Sequence, residues 1–510
     1  MEKRKSIYKY LPLIFSILLV IGIFIGSRIN APFLKQQKFF TPKTSQFNKL
    51  SDVISYIQQQ YVDTVDQKHM VDISIENMLA SLDPHSSYIS ADQLQTANEP
   101  LEGNFGGIGI EFHIQQDTIM VVNVIDGGPS QAAGLKAGDR IFEIEGENVG
   151  GTGITNEDVM DKLRGKSGTI VNVKVKRRNT KNIVDVPLTR GQIPIKSVEA
   201  AFMLDENTGY IKITRFAAKT YDEYLDAFRN LRIKGMQDMI LDLRDNPGGY
   251  LDAATNLADE FLGSNKIIVY TKGKARPKTV YKASAEGTFE TGRLIVLIDE
   301  GSASASEILA GALQDWDRAT IIGRRSFGKG LVQEQTVFPD GSAIRLTISR
   351  YYTPVGRCIQ KPYDGDIEKY NREVYKRYQN GELQDGERMP LNDSLVFITS
   401  SGKKVFGGGG ITPDIFVPID TSYNTNYLRR LYRNRTINQV AFDFVDRNRK
   451  RLKEFSDFSA FNSAFKVSES DLTKILALAE KQGIQHSADE YARSKDHIAM
   501  QLKALIARQI

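Results

Sequence analysis

Histidine and cysteine are scarce in this chain. Its 510 residues include only five histidines and one cysteine, Cys358. A single cysteine excludes an internal disulfide framework. No histidine lies between His113 and His486, so a Ser-His-Asp triad in the middle of the chain would need an imidazole from elsewhere. The histidines show no metal-ligand spacing, so we expect no metal site; they are His69, His85, His113, His486 and His497.

An excess of charge of one sign is also missing. The chain has 67 basic and 62 acidic groups, a balance that gives no general argument for a nucleic-acid partner. Basic groups do cluster after residue 421, at Arg429–Arg430 and 447–451, in a stretch that we predict to be helical. We interpret this stretch as a solvated helical face, and nucleic-acid binding is the alternative.

The N-terminus has the pattern of a membrane signal. Basic residues precede an apolar run from Leu11 to Gly26, which is typical of a signal peptide or of a single membrane anchor with its basic end in the cytoplasm. No convincing small-x-small cleavage signal follows, so we expect an anchor within residues 1–30. The rest of the chain would then lie in the cell envelope, on the periplasmic side of the inner membrane.

Periodicity and composition divide the chain into several parts. Apolar residues recur at spacings of three and four between Phe47 and Leu82 and predict two amphipathic helices. Short β-like runs follow, and then strands alternate with helices as in a largely parallel α/β sheet. The predicted parts are an anchor or signal peptide at 1–30, helices at 42–100, a β module at 102–192, an α/β core at 193–420 with a polar insertion at 363–390, and a helical extension at 421–510.

Ser304 is a candidate nucleophile. It lies where a candidate buried strand, Leu294–Ile298, leads into a helix that starts near Ala305. Unpaired N–H groups and the helix dipole favour negative charge on an oxygen at such a junction. The alternative is structural, because Ser304-x-x-Glu307 is also a capping box that would only start the helix.

Lys329 is a candidate general base. A lysine accepts a proton only when neutral, and lowering its pKa from about 10.4 to 7 or 8 takes roughly 3–4 kcal/mol of differential cost to the charged form, which desolvation can supply. Because Gly328 and Gly330 have no side chains, backbone atoms can pack close to Lys329. Gln333 can orient the amine through its carbonyl without adding a negative charge. A solvated loop lysine and an exposed strand glutamine are the alternatives.

A glycine pair completes the candidate site. The stretch Leu241–Gly249 ends a predicted strand in Gly248 and Gly249, which can present free N–H groups where a side chain would block them. Together with the N–H of Ala305, one of these groups could form an oxyanion hole. The alternative is a tight turn into the next helix.

The same lysine also fits part of a phosphate-binding loop. Gly323 to Lys329 matches the spacing GxxxxGK. Position 330 is glycine, so the magnesium-binding hydroxyl is missing, and the next segment has the period of a strand where a phosphate loop needs a helix. These two features argue against an NTPase.

Several motifs together resemble the carboxyl-terminal processing peptidases, or tail-specific proteases, which are serine endopeptidases with a Ser-Lys dyad and a PDZ domain. The resemblance runs in the family's order over residues 45–420 and leaves out the insertion and the last 90 residues. The matching stretches are Leu82-Asp-Pro-His-Ser-Ser-Tyr88, Gly106-Gly-Ile-Gly-Ile-Glu-Phe112, Gly134-Leu-Lys-Ala-Gly-Asp-Arg-Ile141, Asp242-Leu-Arg-Asp-Asn-Pro-Gly-Gly249, Gly301-Ser-Ala-Ser-Ala-Ser-Glu-Ile308, Phe327-Gly-Lys-Gly330, Tyr352-Thr-Pro-Val-Gly-Arg357 and Gly410-Ile-Thr-Pro-Asp414.

The resemblance assigns roles to the candidate residues. It implies that Ser304, and neither Ser302 nor Ser306, is the nucleophile, that Lys329 is the base and that Gln333 orients it. It further implies a crotonase-like α/β protease core, an acyl-enzyme mechanism and no cofactor. Because the family binds through its PDZ domain, the expected partners are proteins or peptides with free C-termini.

The resemblance also locates the peptide-binding part. Residues 106–190 resemble the PDZ domain, which would add the substrate's C-terminus as a strand to a sheet edge. Its carboxylate would meet N–H groups near Gly107, Ile108, Gly109 and Ile110, although an ordinary glycine turn is the alternative. Arg164 resembles a residue that couples peptide binding to activation, with surface charge as the alternative. The helices at 45–82 could pair protomers as a homodimer.

Three classes of function are therefore open. The chain is predicted to be a processing protease that recognises exported substrates; the alternatives are a PDZ scaffold with an inactive core and a nucleic-acid binder that uses the basic tail. The presence of Ser304, Lys329 and Gln333 argues against an inactive core.

Overall fold

The computed structural model describes residues 16–20, 48–115, 117–177, 183–389 and 393–508. The chain divides into two compact units, Met1–Ser74 and Ile75–Ile510. Most of the predicted anchor lies outside the described residues, and only residues 16–20 of it are seen, as helix. Within the described ranges, no helix has both the length and the apolar character to span a bilayer.

Two helices lie between residues 48 and 80, as the apolar periodicity predicts. They are α1 (Asn48–Gln60) and α2 (Gln67–Ala80). Leu50, Val53 and Tyr56 of α1 are exposed. Since α1 begins at Asn48 and α2 ends at Ala80, the predicted outer boundaries at Phe47 and Leu82 are correct to within two residues.

A β module follows a short strand and a helix. Its main sheet has the order β3-β4-β5-β7-β8 with antiparallel pairing, so β3 is at the sheet edge, and β6 pairs with β5. Val171, Val173 and Val175 alternate into its core, as expected for a half-buried strand. The elements are β1 (Ser87–Ile89), α3 (Ala91–Glu102), β2 (Asn104–Gly107), β3 (Ile110–Ile114), β4 (Ile119–Val124), α4 (Pro129–Ala132), β5 (Arg140–Ile144), β6 (Glu147–Asn148), α5 (Asn156–Leu163), β7 (Ile170–Lys176), β8 (Ile183–Thr189) and β9 (Gly191–Pro194).

The α/β core confirms the predicted fold class. Its six-stranded sheet has the order β10-β11-β12-β15-β16-β21 and is parallel from β11 to β21. The elements are β10 (Val198–Met203), β11 (Thr208–Ile213), α6 (Thr220–Ile233), β12 (Asp238–Asp242), α7 (Leu251–Asp259), β13 (Ile267–Lys272), β14 (Thr279–Lys282), β15 (Leu294–Ile298), α8 (Ala305–Asp315), β16 (Thr320–Gly323), β17 (Leu331–Val337), β18 (Ala343–Tyr352), α9 (Ile367–Asn371), α10 (Glu373–Gln379), β19 (Val396–Ile398), β20 (Lys404–Phe406) and β21 (Ile415–Phe416).

A second sheet faces the Ser304 side of the core. Its order is β1-β18-β13-β14, and β17 pairs with β18 in the hairpin that the sequence predicts. The register of β17 shifts between Val332 and Gln333. Because β16 belongs to the parallel sheet and β17 to this one, the loop that carries Lys329 crosses from one sheet to the other.

The predicted polar insertion is built into the core. It contains α9 and α10, and Tyr370, Arg377, Glu382 and Leu383 are buried. The segment is packed although its sequence is polar, because buried charged side chains hide the apolar periodicity on which sequence patterns depend. That it is an insertion stays a prediction.

The C-terminal extension is helical, as predicted, and has a core of its own. Leu431, Ile475 and Leu502 are fully buried in it. It also packs on the β module, where the rings of Phe442 and His113 are 5.2 Å apart. Its helices are α11 (Asn426–Arg433), α12 (Thr436–Leu452), α13 (Phe458–Ala464), α14 (Glu469–Lys481) and α15 (Ala488–Ala507).

Candidate active site

Two loops meet at the carboxyl ends of neighbouring parallel strands. β12 and β15 pair in parallel, so the loops that follow them emerge at the same edge of the sheet. The Ala303 N–H donates to the Asn246 carbonyl at 2.9 Å, and the Asp245 N–H donates to the Asp299 carboxylate at 2.9 Å. These bonds join the glycine-pair loop to the serine loop.

Of the three serines in the serine loop, only Ser304 lines a cleft. The Ser302 hydroxyl donates to the Leu243 carbonyl at 2.8 Å, and the Ser306 hydroxyl donates to the Asn246 carbonyl at 2.9 Å. Both residues are fully buried. Ser304 is half-buried, lines the cleft and takes part in a capping box with Glu307. The hydroxyls of Ser302 and Ser306 therefore stabilise the loops, whereas Ser304 borders the cleft.

The backbone of Ser304 is held in an unusual conformation. Its φ is +55° and its ψ is −112°, a region that costs a non-glycine residue about 1–3 kcal/mol. The Ser304 N–H donates to the Glu307 carboxylate at 2.8 Å. The Tyr351 hydroxyl lies 3.0 Å from the Ser304 carbonyl and 2.5 Å from that of Lys329. These contacts hold the turn and tie it to the lysine loop.

Glu307 is the buried acceptor that connects the two loops. Its carboxylate accepts the N–H groups of Ser304, Gly328 and Lys329 at 2.8, 2.8 and 2.9 Å, and the Ser326 hydroxyl at 2.5 Å. Burial raises the pKa of Glu307 to about 7, although these hydrogen bonds oppose the shift. The capping interaction of Glu307 is thus present, and the same carboxyl also holds the lysine loop.

Lys329 has a neutral hydrogen-bond partner. Its Nζ donates to Gln333 Oε1 at 3.1 Å, and Gln333 Nε2 donates to the carbonyl of His85. In the part of the chain that the structure describes, Lys329 forms no ion pair with a carboxylate. Burial lowers the pKa of Lys329, while the charges of Asp83 and Glu307 oppose the shift. The environment therefore favours the neutral amine.

The imidazole of His85 is a poor alternative to Lys329 as the candidate general base. Burial, with the charge of Lys329, lowers the pKa of His85 to about 4. Its Nε2 lies 2.9 Å from the Tyr370 hydroxyl. His85 thus connects Gln333 to α9, and it stays neutral at physiological pH.

Ser304 and Lys329 open into one cleft of about 660 Å³. The glycine-pair, serine and lysine loops, strands β17 and β18 of the second sheet, and α3 contribute to its walls. Its lining includes Ser304, Lys329, Gln333, Gly248, Gly249, Tyr351, and Ala97, Asn98, Pro100 and Leu101 of α3. The structure thus brings together the three residues that the sequence singles out.

The candidate oxyanion donors differ in their availability. The Gly248 N–H donates to Asn246 Oδ1 at 2.9 Å, so it is occupied. The N–H groups of Gly249 and Ala305 donate no hydrogen bond within the described ranges. A Cβ on Gly249 would lie 2.0 Å from the Phe216 carbonyl, which explains the need for glycine there. Of the three residues predicted for this role, Ala305 and Gly249 have free N–H groups.

The β-module loop at 107–110 has unused donors. The Ile108 carbonyl accepts the Ser130 N–H and the Gly109 carbonyl accepts the Ile125 N–H, both at 3.0 Å. The N–H groups of Ile108 and Gly109 donate to no group in the described chain. Gly109 has φ +75°, and Ile110 begins the edge strand β3. The loop therefore presents N–H groups beside a free sheet edge.

Arg164 connects the module to the cleft. Its Nη1 lies 3.2 Å from the Glu99 carboxylate on α3, and its guanidinium lies 4.4 Å above the Phe105 ring. α3 contributes Leu101 to the cleft lining. Arg164 is thus paired, and its partner belongs to a helix that borders Ser304.

Sequence reasoning missed Arg377. This buried side chain of α10 donates to the carbonyls of Arg325, Ser326 and Phe327 at 3.1, 2.8 and 3.2 Å. In sequence it forms an ordinary i,i+4 pair with Glu373, a pattern typical of an exposed helix face.

The described residues contain no cluster of three or more His, Cys, Asp or Glu side chains that could hold a metal ion.

The core and the β module define a serine-type peptidase with a PDZ domain. Residues 207–369 match Peptidase family S41 and residues 106–188 match a PDZ domain. Residues 27–93 match an activating protease CtpB N-terminal domain, and residues 427–510 match a family of unknown function.

Curated relatives give the family. A carboxy-terminal-processing protease of Bartonella bacilliformis is 38% identical over 62% of this chain and 73% of its own length. The carboxy-terminal processing protease CtpA of Bacillus subtilis is 36% identical over 70% of this chain and 74% of its own. The chain belongs to the carboxy-terminal processing proteases. Among solved structures, a photosystem II D1 C-terminal processing protease is 28% identical over 62% of this chain and 91% of its own, with a TM-score of 0.35.

The buried carboxyl of Glu307 predicts a pH-dependent stability. Because its folded-state pKa of about 7 lies above the ordinary 4.5, its contribution is fully present below about pH 4.5 and is lost as the pH rises through 7. Glu307→Gln removes the titration. We therefore expect the variant to be more destabilised, relative to wild type, at pH 5 than at pH 8, by about 2–3 kcal/mol.

Urea unfolding of both proteins at the two pH values measures this difference. Glu206→Gln, at an exposed position, is the matched control and should show the same small effect at both. A loss of stability in Glu307→Gln that is equal at pH 5 and pH 8 would contradict the assignment.

Proposed function

We propose that this peptidase cleaves proteins by a Ser304–Lys329 acyl-enzyme mechanism. The observation that carries the proposal is a serine hydroxyl and a lysine amine that line the same cleft. Ser304 borders that cleft at the start of α8, and burial lowers the pKa of the amine. A nucleophile beside a group that can take its proton is the usual arrangement for covalent catalysis.

The geometry suggests a role for each group. Neutral Lys329 takes the proton of Ser304 Oγ as that oxygen attacks the scissile carbonyl. The N–H groups of Ala305 and Gly249 stabilise the oxyanion. Lys329 then gives the proton to the leaving amine, which leaves an acyl-enzyme. Water attacks the ester and loses a proton to Lys329, which then gives that proton to Ser304 Oγ as the ester C–O bond breaks and the carboxylic acid product leaves. Gln333 keeps the amine oriented throughout.

The PDZ domain selects substrates through their C-termini. A substrate adds as a strand to the free edge of β3, and its carboxylate accepts the unused N–H groups of Ile108 and Gly109. The ion pair between Arg164 and Glu99 couples peptide binding to the position of α3, which borders the cleft. These features support proteins with a free C-terminus as the substrates, and the N-terminal signal pattern supports exported ones.

Replacing either reacting residue should remove activity. We expect Ser304→Ala and Lys329→Ala to lower kcat/KM at least about 10³-fold for a protein substrate with an apolar C-terminus, because each loses one partner of the proton transfer. The exposed positions Ser459 and Lys219 supply control variants, Ser459→Ala and Lys219→Ala.

The wild-type pH profile is part of this test. Since Lys329 acts when neutral, kcat should rise as the pH rises through its lowered pKa. Circular dichroism establishes that the variants fold. Full activity in folded Ser304→Ala or Lys329→Ala would refute the mechanism.

Amidation of the substrate's C-terminus should weaken turnover. The amide lacks the negative charge that the Ile108–Gly109 loop is proposed to bind, so we expect KM to rise about tenfold. Gly109→Ala places a side chain at φ +75° and 3.1 Å from Ile193, and should itself raise KM and reduce the sensitivity to amidation. Gly127→Ala, with φ +71° and open space, is the control. Equal KM values for acid and amide would exclude the PDZ domain from substrate selection.

We infer that the N-terminus anchors the enzyme in the inner membrane, with residues after about 30 in the periplasm. The basic flank and the apolar run Leu11–Gly26 support this placement. Fractionation of cells that express the chain with and without residues 1–30 tests it. The whole chain should sediment with the membrane and be degraded by protease added to spheroplasts. Recovery of the whole chain in the cytosolic fraction would contradict it.

The predicted homodimer stays a prediction. The exposed apolar residues Leu50, Val53 and Tyr56 of α1 are compatible with a partner protomer.

A further inference from the structure

The loop that carries Lys329 has no regular secondary structure, yet it is largely buried. Residues 324–330 connect β16 to β17, and Arg325, Ser326 and Gly328 within them are buried. Backbone groups in such a segment need partners other than a helix or a sheet. Glu307 accepts the N–H groups of Gly328 and Lys329 at 2.8 and 2.9 Å.

The carbonyls of the same loop point to one guanidinium. Arg377 Nη1 donates to the carbonyls of Arg325 and Ser326, and Nη2 donates to that of Phe327. The side chain of Arg377 is 2% exposed. A planar guanidinium can serve several carbonyls at fixed angles, which an ammonium cannot do.

Glu373 compensates the buried charge of Arg377. Its carboxylate lies 2.7 Å from Arg377 Nε, 3.3 Å from Lys361 Nζ and 3.4 Å from Arg325 Nη2. Burial alone would raise the pKa of Glu373, but hydrogen bonding to Arg377 and the neighbouring positive charges outweigh it and hold that pKa below its usual value. The carboxyl is therefore ionised, and the guanidinium is fixed.

Lys361 fixes the loop at a further point. Its N–H donates to the Gly328 carbonyl at 2.9 Å, and its Nζ lies 3.8 Å above the Phe327 ring and 4.1 Å above the Tyr370 ring. Tyr370 also contacts His85, whose carbonyl binds Gln333. The helices α9 and α10 thus contact the base loop, and α9 is linked to Gln333 indirectly, through His85.

We propose that Arg377, held by Glu373, is a positioning residue that sets Lys329 against Ser304 and Gln333. On this proposal the segment 363–390 is part of the catalytic apparatus of this chain. The inference rests on the proposed Ser304–Lys329 mechanism. Lys329 is two residues beyond Phe327, so the carbonyls bound by Arg377 determine where the lysine side chain starts.

A small displacement of the loop would have a large effect. Misplacing a reacting group by about 1 Å can cost about 10²-fold in rate. The amine of Lys329 would also become more exposed to water. The charged and titratable groups that face Lys329 are Asp83, His85, Glu307 and Arg345, and Tyr351 binds its carbonyl. Since burial is the main cause of the lowered pKa of Lys329, a displaced, better solvated amine would titrate at higher pH.

Arg377→Lys is the decisive variant, because it keeps the positive charge and loses the fork that serves three carbonyls. We expect kcat to fall about 10- to 100-fold, KM to change less than about twofold, and the midpoint of the rise of kcat with pH to move to higher pH. Arg377→Met, which removes the charge, should lower kcat further. Arg372→Lys on the neighbouring turn, where the side chain is 67% exposed, is the control and should match wild type.

Measurements use the full chain and a protein substrate with an apolar C-terminus, with the folded fraction determined by urea unfolding. If Arg377→Met fails to fold, Arg377→Lys decides alone. A loss of kcat in Arg377→Lys that equals its loss of folded protein, with an unchanged pH midpoint, would mean a merely structural role and overturn the proposal. Wild-type kcat in the folded variant would overturn it as well.

The outcome for Ser304 separates the two proposals. If Ser304→Ala is inactive and Arg377→Lys behaves as wild type, only the role of Arg377 fails. If Ser304→Ala is active, the mechanism itself fails, whatever Arg377→Lys does.

Discussion

The active site depends on two opposite buried charges that hold one irregular loop. Glu307 accepts hydrogen bonds from N–H groups of the Lys329 loop, and Arg377 donates hydrogen bonds to carbonyls of the same loop. Without them the buried loop would have unsatisfied polar groups, each costing about 1–3 kcal/mol. The two buried groups differ in how the energetic cost of burying their charge is lowered. Glu307 can take up a proton near pH 7, whereas a guanidinium cannot lose one, so Arg377 needs its carboxylate partner Glu373.

This arrangement also bears on the charge of Lys329. A fully ionised Glu307 favours the ammonium form of Lys329, because an opposite charge nearby raises a lysine pKa. The raised pKa of Glu307 limits that effect at neutral pH. Gln333 binds the amine without a charge, and His85 is neutral. Asp83 is then the main negative charge that faces the amine, and burial lowers the lysine pKa in spite of it.

The sequence predicts the parts of this site that are local. The bounds of β15 and α8 agree with the prediction, because a continuous apolar strand and a helix after a small-residue turn are both short-range patterns. Lys329 and Gln333 are close in sequence, but their side chains meet, at 3.1 Å, only because the irregular loop bends before β17, which a sequence pattern does not show. Arg377 could not be found this way. Its spacing from Glu373 matches a surface ion pair, and the loop that it binds lies 50 residues earlier. The pairing of β18 with β1 and β13 is likewise set by tertiary packing.

The same distinction applies to the PDZ domain. The glycine loop and the strands are visible in the sequence, but the contacts of β3 are not. Ile110 and Phe112 of β3 pack on the PDZ core, while Glu111 lies 3.7 Å from Arg508 and the ring of His113 contacts Phe442. Alternate residues of a strand face opposite sides of a sheet, so the C-terminal helices cover the outer face of β3. Because β3 pairs only with β4 among the described strands, its other edge has no strand partner. The extension therefore supports the strand that is proposed to receive a peptide, and no described strand occupies the other edge of that strand.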